Sequence, residues 1–202
     1  MAKTKVLITL GPTQEPIDDI RFISNKSSGR MGAALAEEGI KRGHDITIIH
    51  GPVSVPLPGA AKKIPVSTAK EMLDAVLAEY NDCYIFISAA AVADYTPVEI
   101  APGKIKSGQE ITLHLKPTPK LIHEVRKLAP DMRIVAFKVE SGGDLVARAK
   151  ELLEDADLVV ANDASAMGSD TNEVYLVSKT GVEHVGPASK KLIANAVWDE
   201  LD

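Results

Sequence analysis

The sequence predicts an α/β fold: a doubly wound, mostly parallel, Rossmann-like sheet with a protruding flap or hairpin. Two observations predict the sheet. Short runs rich in Val, Ile, Leu and Phe recur without clean alternation, as expected of strands buried on both faces. Between them lie segments with apolar residues at three- and four-residue steps, so helices make right-handed crossovers between parallel strands. A third observation predicts the protrusion. Residues 94–118 are too long for an ordinary connection and carry an alternating stretch of their own.

The expected strands are KVLITL (5–10), DITIIH (45–50), CYIFISA (83–89), RIVAF (133–137) and DLVVA (157–161). The first helix is expected over 28–42, from Met31, Leu35, Ala36 and Ile40, and the second over 68–80, from Met72, Leu73, Val76, Leu77 and Tyr80. Segments 119–128 and 143–155 follow, the latter through Leu145, Val146, Ala149, Leu152 and Leu153, and the last spans 188–201 with Leu192, Ile193, Ala196, Val197 and Leu201. The flap covers about 95–118, and within it EITLHLK (110–116) reads as a strand with one wet face. NEVYLVSKTGVEHVG (172–186) reads as a hairpin turning at Lys179–Gly181, with Gly181 supplying a positive φ. No repeat, low-complexity tract or linker interrupts the pattern, so a single domain over 1–202 is expected.

The chain has 202 residues, enough for one sizeable core, and a formal net charge of −5. There is no global basic field, so nucleic acid is not an expected partner, and an anionic ligand would have to meet local positive charge. One cysteine, Cys83, excludes an internal disulfide framework, fits a reducing compartment and reads as a small core hydrophobe. No apolar run has the length of a membrane span and the N-terminus lacks a secretory signal, so the expected location is cytoplasmic, without membrane contact. The five histidines show no ligand spacing, and no Ser–His–Asp set stands out. An enzyme on this chain would work by positioning and electrostatics.

In doubly wound sheets ligands bind beyond the carboxyl ends of the strands. That selects 11–28, 51–67, 89–110, 138–143 and 161–172. In RFISNKSSGRMG (21–32), Ser27 or Ser28 can cap a helix, but capping leaves Arg21, Asn25, Gly29 and Gly32 unexplained. An anion site of helix-end N–H groups, serine hydroxyls and glycines accounts for more of the stretch, though Gly32 could equally serve close helix–sheet packing. A dinucleotide fingerprint would follow the first strand at once; Gly11–Pro12–Thr13 stands there instead. Tyr175 and Lys179 match a reductase spacing, but in an extended strand they stand about 13 Å apart. In ISAAAVADYTP (87–97), Ala89, Ala90, Ala91 and Ala93 leave room for a ring, while Asp94 is either a turn residue or a partner for a ribose hydroxyl or a metal-bound water. Lys104 and Lys106 read more readily as a solvated turn than as a phosphate-closing lid. Asn162, Asp163 and the polar run up to 174 fit turn chemistry or the rim of a site.

ITLGPTQEPIDDIRFISNKSSGRMG, AAVADYTP, GKIK, PTPKLI, AFKVE, and VANDAS followed by GSDTNEV occur in the order found in phosphopantothenate–cysteine ligase, also called phosphopantothenoylcysteine synthetase. The chain resembles that family from residue 5 to about 200. The resemblance implies joining of 4′-phosphopantothenate to L-cysteine in coenzyme A biosynthesis. CTP activates the carboxylate as an acyl-cytidylate with release of pyrophosphate, the cysteine amine displaces CMP, and Mg²⁺ is required. It also implies a homodimer with the flap at the subunit contact, and a synthetase domain without the decarboxylase fused to it in many bacteria.

By the same resemblance, Asn25 holds the acyl-nucleotide, Arg21 helps turn it over with cysteine, and Lys104 meets the triphosphate; Ser27, Ser28 and Gly29 are the phosphate-binding candidates of the anion site read from the stretch itself. Ser88, Ala89, Ala90 and Asp94 lie along the base; Thr118, Pro119, Lys120 and Leu121 contact nucleotide at a helix start; Phe137 sits at the base pocket and Lys150 on the phosphate side. Two positions depart from bacterial members. Glu154 replaces a second basic residue, and Lys138 replaces a small one, a feature closer to archaeal and eukaryotic members, of which the eukaryotic ones use ATP. CTP is the expected nucleotide, with ATP as the other choice, and the metal ligands are unassigned. The alternative class is a non-catalytic nucleotide- or dinucleotide-binding module.

Overall fold

The computed structural model describes residues 3–164 and 171–202. In chain order the elements are β1 (Lys5–Leu10), β2 (Gln14–Pro16), β3 (Phe22–Ser24), α1 (Arg30–Lys41), β4 (Asp45–His50), β5 (Lys62–Pro65), α2 (Ala69–Glu79), β6 (Ile85–Ser88), β7 (Tyr95–Pro97), β8 (Leu115–Pro117), α3 (Leu121–Leu128), β9 (Arg133–Glu140), α4 (Leu145–Glu151), β10 (Leu158–Asp163), β11 (Thr171–Ser178), β12 (Val182–Ser189) and α5 (Lys190–Asp199). Among the described residues they build an eight-stranded sheet in the order β12–β11–β10–β9–β6–β1–β4–β5. Within it β10, β9, β6, β1, β4 and β5 run parallel, and β11 and β12 close one edge antiparallel.

Successive residues of the central strands serve opposite faces, which is why their sequences lack alternation. Val6, Ile8, Leu10, Ile85, Ile87, Leu158 and Val160 pack with Leu35 of α1 and Ile193, Val197 and Trp198 of α5. Leu7, Phe86, Ile134, Val159 and Ala161 pack with Met72 and Val76 of α2, Leu121 and Val125 of α3, and Ala149 of α4. Helices on both faces make the sheet doubly wound, as expected. The first layer is pinned at Trp198, whose Nε1 donates to Leu35 O at 2.9 Å and whose ring stacks on His44.

Three local expectations change. Segment 51–67 contains β5, not read from KKIP, whose two lysines and proline suit a short edge strand better than a buried one. Stretch 110–116 is not a half-wet strand: pairing is confined to β7 and β8, and Ile111, Leu113 and Leu115 are all exposed. The β11–β12 hairpin is present, but Gly181 has no positive φ. Ser178 N donates to Gly181 O at 2.9 Å, and the Ser178 hydroxyl accepts from Thr180 N at 3.3 Å and pairs with the Thr180 hydroxyl at 2.9 Å. Those hydroxyl bonds support the turn at Lys179–Thr180 without a left-handed residue.

Candidate active site

β1 and β6 lie side by side, and the chain winds away from them in opposite directions, so the loops after these two strands part above the sheet. A cleft of about 740 Å³ opens there, over the carboxyl ends of β1, β6, β9 and β10. Its wall on the β1 side is Ser24 to Gly32; on the β6 side it is Ser88 to Val92 with Asp94; Thr118 to Ile122, Phe137, Lys138 and Asn162 complete the floor and far wall.

The β1 loop is tied to the β6 loop. Thr13 N donates to Ala91 O at 3.3 Å, and the buried Thr13 hydroxyl accepts from Ala93 N at 3.0 Å. Asn25 continues the seam, its amide nitrogen reaching Val92 O at 3.0 Å and Ala91 O at 3.3 Å. Gly51, which sequence reasoning passed over, lets the loop pass: a Cβ there would stand 1.7 Å from Pro12 O. Only a glycine at that strand end accepts so close a backbone.

α1 begins at Gly29, not at either serine. Gly29 is the cap residue, with φ 74°, and no side chain caps the helix. Ser27 and Ser28 make only long contacts, 3.4 and 3.5 Å, to the amides of Gly29 and Arg30. The first turn of α1, whose Gly29 to Gly32 line the cleft, therefore has no side-chain cap beyond these long contacts, an arrangement that favours an anion. Gly32 serves packing, since a Cβ there would meet Leu10 at 2.3 Å.

On the β6 side, the Lys120 ammonium donates to the Asp94 carboxylate at the rim. The buried Thr118 hydroxyl donates to Ala93 O at 2.5 Å, and Thr118 N to Asp94 O at 3.0 Å, setting the start of α3 against the cleft. On the far wall Lys138 pairs with Glu140 at 2.8 Å, and Arg148 with the same carboxylate at 2.9 Å. The bond from Lys138, aided by Arg148, outweighs desolvation and holds the Glu140 carboxyl below the usual carboxylate range.

Of the residues singled out in the sequence, the cleft brings together Asn25, Ser27, Ser28, Gly29, Ser88, Ala89, Ala90, Asp94, Thr118, Pro119, Lys120, Leu121 and Phe137. Arg21, Lys104 and Lys150 do not line it within one chain. Arg21 instead bonds Asp18 and Ile105 O, Lys104 is exposed on the flap, and Lys150 is exposed on α4. The polar run after Asp163 is represented by Asn172, which lines the cleft; residues 165–170 lie outside the described residues. Lys26, Met31 and Lys190 also line it and were not flagged.

Asp18 was missed as well. Burial alone would raise its carboxyl, but the N–H groups of Ile20, Ile105 and Arg21, with the Arg21 charge, reverse this and leave it below the usual range. The available signal was an Asp followed two and three residues on by free backbone N–H groups, a local turn pattern. Among the described residues no group of three or more His, Cys, Asp or Glu is placed to hold a metal ion, and no helix is long and apolar enough to cross a membrane.

Residues 1–202 match the model of the DNA/pantothenate metabolism flavoprotein C-terminal domain. The coenzyme A biosynthesis bifunctional protein CoaBC of Thermococcus kodakarensis is 42% identical over 205 residues, covering 98% of this chain and 51% of that protein. Its Escherichia coli counterpart is 39% identical over 207 residues, covering 97% and 51%. The chain thus spans about half the length of these curated relatives. Among solved structures, the C-terminal domain of a CoaBC superposes with a TM-score of 0.85 at 29% identity, covering 98% of this chain and 93% of that one. The DNA/pantothenate metabolism flavoprotein from Streptococcus pneumoniae superposes with 0.87 at 26%, covering 98% of each.

Proposed function

The chain belongs to the DNA/pantothenate metabolism flavoprotein C-terminal domain family, and from that premise we propose that it is the ligase joining 4′-phosphopantothenate to cysteine. The observation that carries the reading is the cleft itself: an uncapped helix N-terminus, a serine pair and Asn25 face an alanine-lined strand end across a space large enough for a nucleotide. Two of the three substrates of such a reaction, the phosphopantothenate and the nucleoside triphosphate, are polyanions, and cysteine adds a carboxylate. In the first step the pantothenate carboxylate attacks the nucleotide's α-phosphorus, the acyl-cytidylate forms and pyrophosphate leaves. In the second the neutral cysteine amine attacks the acyl carbon, CMP leaves with the bonding pair, and the nitrogen gives up a proton to solvent as the amide forms. Neither step needs a protein nucleophile. Both need like charges brought together and held, which amide dipoles and cations do in a dry site.

The α1 amides, Ser27, Ser28 and Gly29 are proposed to hold phosphate, and Ala89 and Ala90 to let the base lie against the end of β6. Asn25 is proposed to carry the acyl-nucleotide. Its amide nitrogen already bridges to the β6 loop, so its position is set before any ligand arrives. Mg²⁺ would come with the triphosphate, which demands only one or two protein carboxylates; Asp94 is the acid among the described lining residues. The exposed apolar side chains Ile20, Phe22, Tyr95, Val98 and Ile100 support a homodimer in which a second copy covers them. CTP is the proposed nucleotide.

Pyrophosphate release is the test, measured with phosphopantothenate, cysteine and either CTP or ATP. Release with CTP and formation of the cysteine amide are expected. Release with ATP alone would reassign the nucleotide, and release with neither would refute the ligase reading.

A further inference from the structure

Two acids are buried among the described residues, Glu15, which accepts from Ala69 N at 2.8 Å at the start of α2, and Asp18, to which the reaction outlined above gives no task. Asp18 is 3% exposed, and its two oxygens are used differently. Oδ1 accepts from Ile20 N at 2.8 Å and Arg21 N at 2.7 Å, closing a local turn. Oδ2 accepts from Arg21 Nη1 at 3.2 Å and from Ile105 N at 3.0 Å, a residue 87 positions away on the flap. Arg21 Nη2 in turn donates to Ile105 O at 3.2 Å. One peptide of the flap is therefore gripped at both its N–H and its carbonyl. Ala101 N to Ile17 O at 3.0 Å and Asp19 N to Gly103 O at 3.4 Å hold the same strip of chain more weakly. From Lys106 to His114 every residue is exposed.

Ile105 stands between Lys104 and Lys106, both exposed and without an ion-pair partner among the described residues. We infer that Asp18 is a positioning residue: its buried carboxylate, acting through Arg21 and the main chain of Ile105, sets where the two flap lysines stand for the incoming phosphates. The anchor is a charge-assisted hydrogen bond to a carboxylate whose side chain has no exposed surface, so it is stronger than the solvent-exposed ion pairs elsewhere on the chain. The consequence for turnover rests on the ligase reading; the anchor itself does not.

The division of labour between the two oxygens makes Asp18→Asn a selective test. The amide oxygen can keep the turn at Ile20 and Arg21. The amide nitrogen then faces two donors, Ile105 N–H and the Arg21 guanidinium, and the flap is released. Exchange of the Ile105 amide should rise roughly tenfold or more, the equivalent of losing one hydrogen bond to a charged group. Trypsin should cut faster at Lys104 and Lys106. Catalytic efficiency should fall roughly tenfold to a hundredfold, as expected of misplaced groups. Added to a Lys104→Gln/Lys106→Gln protein, Asp18→Asn should cost little more, because both changes remove the same contribution.

A full additive loss in that combination would overturn the inference, and so would a wild-type Ile105 amide exchanging as fast as those of residues 107–113. Should Asp18→Asn fail to fold, that wild-type measurement still decides, together with Ile105→Pro, which deletes the donor, leaves Asp18 intact and should speed trypsin cleavage at Lys106, the bond after Lys104 itself being made resistant to trypsin by the proline that follows it. A wild-type protein inactive in the pyrophosphate assay would remove the ligase reading, while exchange and proteolysis would still decide the anchor.

Discussion

Two of the antiparallel excursions from the parallel sheet, the β11–β12 hairpin and the flap, differ in what they bury. The β11–β12 hairpin pairs along eight-residue strands, continues the sheet, and places Val174, Leu176 and Val177 at 1%, 2% and 0% exposure. The flap pairs over three residues on each side, and its Ile111 and Leu113 stand 50% and 38% exposed. Both alternate in sequence, NEVYLVS in one and EITLHLK in the other. Alternation states which side chains would share a face; it does not state whether anything covers that face. The hairpin lies over α4 and α5 and becomes core. The flap is held by a two-strand ribbon, the Asp18–Arg21 anchor and two main-chain bonds, Ala101 N to Ile17 O and Asp19 N to Gly103 O, so its conformation can respond to a ligand at little cost to the fold.

The largest expected effect is in the hairpin. Leu176→Ala should cost about 2–5 kcal/mol by cavity formation, read as a lowered denaturant midpoint; a loss as small as that of a surface change would break the contrast. The glycines come next. Gly186 has φ 124°, and a Cβ there would stand 2.8 Å from Asn172 O; Gly108 has φ 97° with nothing within 4 Å. Gly186→Ala should exceed Gly108→Ala in lost stability by about 1 kcal/mol or more, since both pay strain but only one meets a backbone. Lys104→Gln should lower activity about tenfold, roughly 1.4 kcal/mol of barrier, without moving the melting temperature. A melting loss on the scale of Leu176→Ala would make that lysine structural. Smallest of all, Ile111→Ala should leave stability within about 0.5 kcal/mol; a greater loss would mean the flap packs against something.

Much of the fold was legible because its causes are local. Central strands read as unbroken apolar runs, and helices showed their spacing at Met72, Val76 and Leu35. The cleft's position followed from the parallel order, and most of RFISNKSSGRMG lines it, although the helix cap is Gly29 and not a serine. The misses share one cause. β5 was hidden because an edge strand needs no apolar run. Gly51 matters through Pro12, and Asp18 through Ile105, contacts between residues far apart in the chain.

The sequence by itself determined the two-faced parallel sheet, the end of it where the cleft opens, and the polar, glycine-bearing loop after β1, because periodicity, β-propensity and helix-end chemistry act over a few residues. Only the tertiary structure decided that Asn25 seams two loops together, that Arg21 grips the flap rather than lining the cleft, and that Asp18 is buried at the junction. Those roles depend on which backbone groups the fold leaves beside each side chain, and a dry carboxylate is held by whichever donors arrive there, however distant in sequence.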